Sequence, residues 1–80
     1  MDNSLEVDLH GMTVMEAKNY LQKILKNLSM NITEVVVIHG NNRGDKLANM
    51  VRKDFKHKRI DRKILSLNGG ITILKLKEFC

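Results

Sequence analysis

The sequence contains no proline and no tryptophan, a single cysteine, and only three aromatic residues, Tyr20, Phe55 and Phe79. So few aromatics argue against a sheet that stacks RNA bases on exposed rings. The one cysteine, Cys80, is the last residue. It excludes an internal disulfide framework and a Cys-based zinc site, and it points to a reducing compartment. No apolar run approaches the ~20 residues that a membrane span needs. The opening Met-Asp-Asn-Ser-Leu-Glu lacks the basic-then-apolar order of a secretory signal. A cytoplasmic monomer with no membrane contact is therefore expected.

What is present suits one small domain, residues 1–80. At 42% hydrophobic and 29% charged the composition is that of an ordinary globular fold. A chain of this length buries only ~60–65% of its unfolded surface, so the core is thin. The charge is unevenly spread. Residues 1–40 hold three Lys against five acids, whereas residues 41–63 hold nine Lys or Arg against three Asp, a balance of +6 within an overall +5. Such a stretch attracts polyanions by neutralising phosphate and releasing counterions, although a solvated, solubilising helix face reads the same way.

The hydrophobic period switches along the chain and sets the architecture. Residues 4–10 alternate, with Leu5, Val7 and Leu9 on one side and Glu6, Asp8 and His10 on the other, as in a half-buried strand. Thr13 and Glu16 form a capping box for a helix starting near Val14 and fading at 29–31, with Val14, Ala17, Leu21, Ile24, Leu25 and Leu28 as its apolar stripe. Val35-Val36-Val37-Ile38 reads as a central strand within 32–38. Asp45 is placed to cap a second helix whose stripe is Leu47, Met50, Val51 and Phe55. A third strand is expected at 62–67, a tight turn at Asn68-Gly69-Gly70 and a fourth strand at 71–76. The order is βαβαββ. Right-handed crossovers make the first three strands parallel, and the turn at 68–70 makes the fourth antiparallel. Because the fourth strand is more apolar than the third, it is expected between strands two and three. The predicted fold class is α/β, a two-layer sandwich with a four-stranded mixed sheet in the order 1-2-4-3 and both helices on one face.

In such sheets ligands bind at the carboxyl edge. His10-Gly11, the 39–44 loop and Asn68-Gly69-Gly70 converge there. Asp8 and His10, two apart on a strand, suit a carboxylate that orients an imidazole for proton transfer, or simply a surface pair at a strand end. His39 at the next strand end can share acid and base roles, bind phosphate as a cation, or be structural. Gly40, Asn41, Asn42, Arg43 and Gly44 lead into a helix, with Lys46 beside them, so their N–H groups form either an anion site or a plain turn. The loop has neither the Lys-Ser/Thr ending of a P-loop nor a dinucleotide-binding G-x-G-x-x-G. Lys53, Lys56, Lys58, Arg59, Arg62 and Lys63 are expected to contact phosphates without reading sequence. His57 is expected in solvent. No cofactor is expected. Two His and one Asp could ligate a divalent metal, but residues so far apart in sequence point to one only weakly.

Together these residues resemble the Smr (small MutS-related) domain family. The family's L-D-L-H-G-x-T-x-x-E-A segment reads here Val7-Asp8-Leu9-His10-Gly11-Met12-Thr13-Val14-Met15-Glu16-Ala17. Its H-G-x-G-x-G loop reads Ile38-His39-Gly40-Asn41-Asn42-Arg43-Gly44, and its G-G-x-T segment reads Gly69-Gly70-Ile71-Thr72. The likeness covers about residues 5–76. It implies a βαβαββ fold like the carboxyl-terminal domain of bacterial translation initiation factor three. It also implies DNA or RNA binding and, in several members, endonucleolytic nicking or cleavage. Asp8, His10 and His39 fall on positions the family associates with cleavage, and Gly40 and Gly44 on its loop glycines. Asn42 departs from the pattern where the middle glycine is expected. Three functions stay open. One is a nuclease. The second is a non-catalytic nucleic-acid adaptor, for instance at ribosomes or branched DNA. The third is a protein-interaction domain whose basic surface meets an acidic partner.

Overall fold

A computed structural model describes residues 3–40 and 46–77. The elements follow in the expected order: β1 (Ser4–Asp8), α1 (Val14–Asn27), β2 (Glu34–Ile38), α2 (Lys46–Asn49) running directly into a π-helical turn (Met50–Asp54), β3 (Ile60–Leu65) and β4 (Ile71–Leu76). The sheet order is β1-β2-β4-β3, with β1 and β2 parallel and β4 antiparallel to both its neighbours. The apolar β4 sits inside and the more polar β3 takes the edge, as the composition of the two strands requires.

α1 starts where its sequence says it should. The Thr13 hydroxyl accepts from the Glu16 N–H at 3.1 Å while the Glu16 carboxylate accepts from the Thr13 N–H at 2.9 Å. Two otherwise unpaired N–H groups are thereby satisfied. These bonds hold the Glu16 carboxyl below the usual carboxylate range. Ala17, Leu21 and Leu25 then pack onto Val7, Leu9, Val35, Val37, Leu74 and Leu76, with Met50, Val51 and Phe55 of the second helical segment completing the core. Both helices therefore lie on one face of the sheet. On the other face Val36, Ile38, Ile71 and Ile73 are half-buried, and Lys75 pairs with Glu34 across β2 and β4 at 2.9 Å.

Several boundaries differ from expectation: β1 ends at Asp8 rather than 10, β2 starts at Glu34 rather than 32, and β3 ends at Leu65 rather than 67. β3 begins at Ile60 rather than 62, with a register irregularity between Ile60 and Arg62. The second helix leaves α-helical pairing after one turn, and the Phe55 N–H reaches back to the Met50 carbonyl at 2.6 Å. The apolar positions 47, 50, 51 and 55 fit either helical period, so sequence spacing does not separate the two. Asp45, the expected cap, lies outside the described residues.

Candidate nucleic-acid interface

β1 ends in a turn fixed by its own sequence. The Met12 N–H donates to the Leu9 carbonyl at 3.0 Å, and Gly11 has φ +84°. A negative φ at His10 and a positive φ at Gly11 define a type II turn, in which glycine carries no steric penalty. His10 is the exposed corner of that turn. The Asp8 carboxylate accepts from the His10 backbone N–H at 2.9 Å. Asp8 therefore fixes the backbone that carries the imidazole; the expected carboxylate–ring contact is replaced by this one. The Leu9 N–H donates to the Ile38 carbonyl at 2.8 Å, which sets the His10 turn alongside His39-Gly40.

His39 behaves differently. It continues the inward alternation of Val35 and Val37, so its ring lies on the helix-covered side and is 4% exposed. Asp8 shares parity with exposed Glu6 and lies on the opposite face. The sheet edge thus gathers all three expected residues, but Asp8 and His39 occupy different faces. Both ring nitrogens of His39 are engaged, Nδ1 with the Gly40 carbonyl at 3.0 Å and Nε2 with Thr72 Oγ1 at 2.8 Å. A carbonyl can only accept, so in the neutral ring Nδ1 carries the proton. Nε2 then accepts from the Thr72 hydroxyl. Thr72 Oγ1 in turn accepts from Arg52 Nε–H at 2.9 Å, and an Arg52 Nη2–H donates to the Gly69 carbonyl at 3.1 Å.

The glycines of the two loops meet. The Gly70 carbonyl accepts from the N–H groups of His39 (2.9 Å) and Gly40 (3.0 Å). A Cβ added to Gly70 would stand 3.2 Å from Gly40 Cα, while Gly40 itself has φ +73°. Close backbone approach and a left-handed conformation account for these two glycines. Gly69 is exposed at the turn tip. Asn41, Asn42, Arg43 and Gly44 lie outside the described residues.

The basic stretch divides by use. Lys46, Lys53, Lys56 and Lys58 are exposed, as is Arg62 on β3. Arg59, expected as a phosphate contact, is instead buried. Its guanidinium donates to the carbonyls of Leu25 (3.0 Å), Leu28 (2.7 Å) and Ser29 (3.4 Å) at the carboxyl end of α1. A cation there satisfies the last carbonyls and the helix dipole, which leaves it unavailable to a polyanion. Lys63 does the same for the second helical segment, donating to the carbonyls of Arg52 and Phe55. Burial, and then the neighbouring Lys56, hold its ammonium below the usual lysine range, against a pull from Asp54 in the other direction. His57 is half-buried rather than solvated. Its Nδ1 accepts from the Arg59 N–H at 3.1 Å, and desolvation with Lys58 and Arg59 nearby pushes its pKa down.

Arg52 is the site residue that motif reading passes over, and Thr72, which closes the G-G-x-T segment, is given no role by it. Thr72 carried a signal. It shares parity with Leu74 and Leu76 on the inward face of a central strand, where a hydroxyl needs a partner. Among the described residues no three His, Cys, Asp or Glu side chains cluster closely enough to hold a metal ion. No helix there is long and apolar enough to cross a membrane.

Comparison with known proteins agrees with this architecture. A search among curated proteins finds no match. The chain is similar in structure to the Smr domain of Thermus thermophilus MutS2, seen in a crystal structure. The TM-score is 0.77 at 25% identity, over 91% of this chain and 98% of that one. The family model of the Smr domain matches residues 7–72. With nearly the whole described fold inside that match, the chain belongs to the Smr domain family.

Proposed function

We propose that this domain binds DNA or RNA through backbone phosphates and cleaves or nicks a phosphodiester at the carboxyl edge of the sheet, with His10 as the proton-transfer group. The observation that carries this reading is the exposed His10 imidazole, set by the type II turn and the Asp8 carboxylate beside the Gly40–Gly70 contact. His10 takes a proton from the attacking hydroxyl as its oxygen bonds to phosphorus. The bond from phosphorus to the leaving oxygen then breaks, and the imidazolium returns the proton to that oxygen. Backbone N–H groups and cations at the edge offset the charge that develops on phosphorus-bound oxygens. Asp8 positions His10, and His39 shapes the loop. Lys46, Lys53, Lys56 and Lys58 supply affinity that carries no sequence information.

The engagement of both His39 nitrogens favours a second reading, an adaptor that binds without cutting, because a locked ring cannot take a substrate proton unless Thr72 releases it. Labelled RNA and DNA panels, run with and without chelator and resolved for both shift and cleavage, separate the two. The nuclease reading expects cutting by the wild type, with His10→Ala slowing it ~10²–10⁴-fold and keeping the shift. Binding without any cleavage by the wild type establishes the adaptor.

A further inference from the structure

Arg52 is a half-buried cation in an unusual setting. It sits on the π-helical turn, a rare feature that recurs at functional sites. Its side chain crosses to the sheet edge, where Nε–H is fixed by Thr72 Oγ1 at 2.9 Å and one Nη2–H by the Gly69 carbonyl at 3.1 Å. Among the described residues no carboxylate lies within ion-pair distance of it, the single ion pair there being Lys75–Glu34. Both of its partners are neutral, so among the described residues the charge is oriented but not neutralised. Two bonds hold the guanidinium plane, while both Nη1 protons and the second Nη2 proton have no partner among the described residues. A planar, pre-oriented fork with unused donors matches the oxygens of a phosphate group, and holding it in advance removes part of the ordering cost of binding.

The same network reaches the rest of the edge. Thr72, which holds Arg52, also holds His39, and Gly70, next to Gly69, accepts the His39 and Gly40 N–H groups. An anion on Arg52 therefore lies where Gly40 and Gly70 meet.

From this arrangement we infer that Arg52 is the anchor for a phosphate oxygen, its remaining N–H groups binding the anion and Thr72 and Gly69 positioning the fork. The inference rests on the nucleic-acid reading for its ligand, a backbone phosphodiester, and deepens it by separating one oriented contact from the diffuse lysine surface. Free inorganic phosphate presents the same oxygens, so the test distinguishes the sources.

The test has two arms. In the first, the wild type is titrated with inorganic phosphate and, separately, with a short DNA and a short RNA oligonucleotide, reading the NMR signals of Arg52 Nε–H and the Gly69 and Gly70 amides. Shifts of all three with either oligonucleotide support the anchor. Shifts with inorganic phosphate and no binding of either oligonucleotide keep the anion site and remove the nucleic-acid reading. Oligonucleotide binding that leaves Arg52 Nε–H unmoved overturns the anchor and keeps that reading. In the second arm, oligonucleotide affinity is measured against salt for Arg52→Gln, Arg52→Lys and Thr72→Val. Arg52→Gln is expected to weaken binding ~10-fold and to lower the salt slope by about one. Arg52→Lys restores the slope without restoring full affinity, because the charge returns without the fork. Thr72→Val loosens the fork and weakens binding, yet keeps the slope. An equal slope for Arg52→Gln and wild type, or the same loss of slope in Thr72→Val, reduces Arg52 to a structural tie and overturns the inference.

Discussion

Arg59 illustrates how one side chain can be assigned to the wrong work by its neighbours in sequence. It lies between Lys58 and Ile60 in the most basic part of the chain, yet its guanidinium closes the carboxyl end of a helix some thirty residues away. Hydrogen bonds to a buried charge are stronger than neutral ones, and removing the charge leaves carbonyls unpaired. Arg59→Met is expected to lower stability by about 3 kcal/mol in denaturant unfolding. The affinity of the remaining folded protein for nucleic acid should stay unchanged, as measured by titration below the unfolding transition. Lys56→Ala, with an exposed side chain, should show the reverse pattern. Sequence alone does not separate these cases, because a lysine or arginine in a basic run has the same neighbours whether it meets water or a helix end. Asp8 is different. The alternation of Glu6 and Asp8 with Leu5, Val7 and Leu9 turns the carboxylate outward, but Val35 to Ile38 is apolar on both faces, so only the structure shows His39 turned inward. The network around His39 is less legible, because its partner Thr72, and Arg52 that bonds Thr72 in turn, come from two other elements.

At the scale of elements, the parts with local causes are the parts the sequence expresses best. α1 is defined by a reciprocal cap and a 3.6-residue stripe, both readable within fifteen residues. β4 takes the inner position because its alternate faces, Thr72-Leu74-Leu76 and Ile71-Ile73, are both substantially apolar, whereas β3 carries Asp61, Arg62 and Lys63 and tolerates an edge. The π-helical turn and the double capping by Arg59 and Lys63 depend on contacts between elements and leave no local mark. The cap of α1 gives a prediction with a pH dependence. Thr13→Ala should cost about 1 kcal/mol of stability at neutral pH. The folded state holds the Glu16 carboxyl below its ordinary value of 4.5. Between the folded and unfolded values the unfolded chain binds more protons, so this stabilisation is complete above about pH 4.5 and is lost as pH falls through the folded value. Urea unfolding of wild type and Glu16→Gln from pH 7 to pH 3 should show the two converging in acid. A difference that grows on acidification would contradict the cap.

Over the whole molecule, β1 carries only acidic charge, while the second helical segment and its exit are mostly basic. Glu6 and Asp8 lie on β1 at one edge of the sheet, and the exposed Lys46, Lys53, Lys56 and Lys58 lie on the second helical segment and its exit. On the proposed function, a +5 chain with lysines so placed is expected to approach a polyanion basic side first. Lysine contacts of the proposed kind would set affinity and leave sequence unread, so specificity would have to come from the shape of the nucleic acid. The measurement that tests this account most directly is the affinity of the wild type for a labelled RNA and a labelled DNA oligonucleotide across a series of salt concentrations, repeated with Lys53, Lys56 and Lys58 each changed to Ala. The account predicts that log affinity falls linearly with log salt, and that each substitution lowers the slope by about one for either oligonucleotide whatever its sequence. Affinity insensitive to salt, or a slope unchanged by all three substitutions, would contradict it.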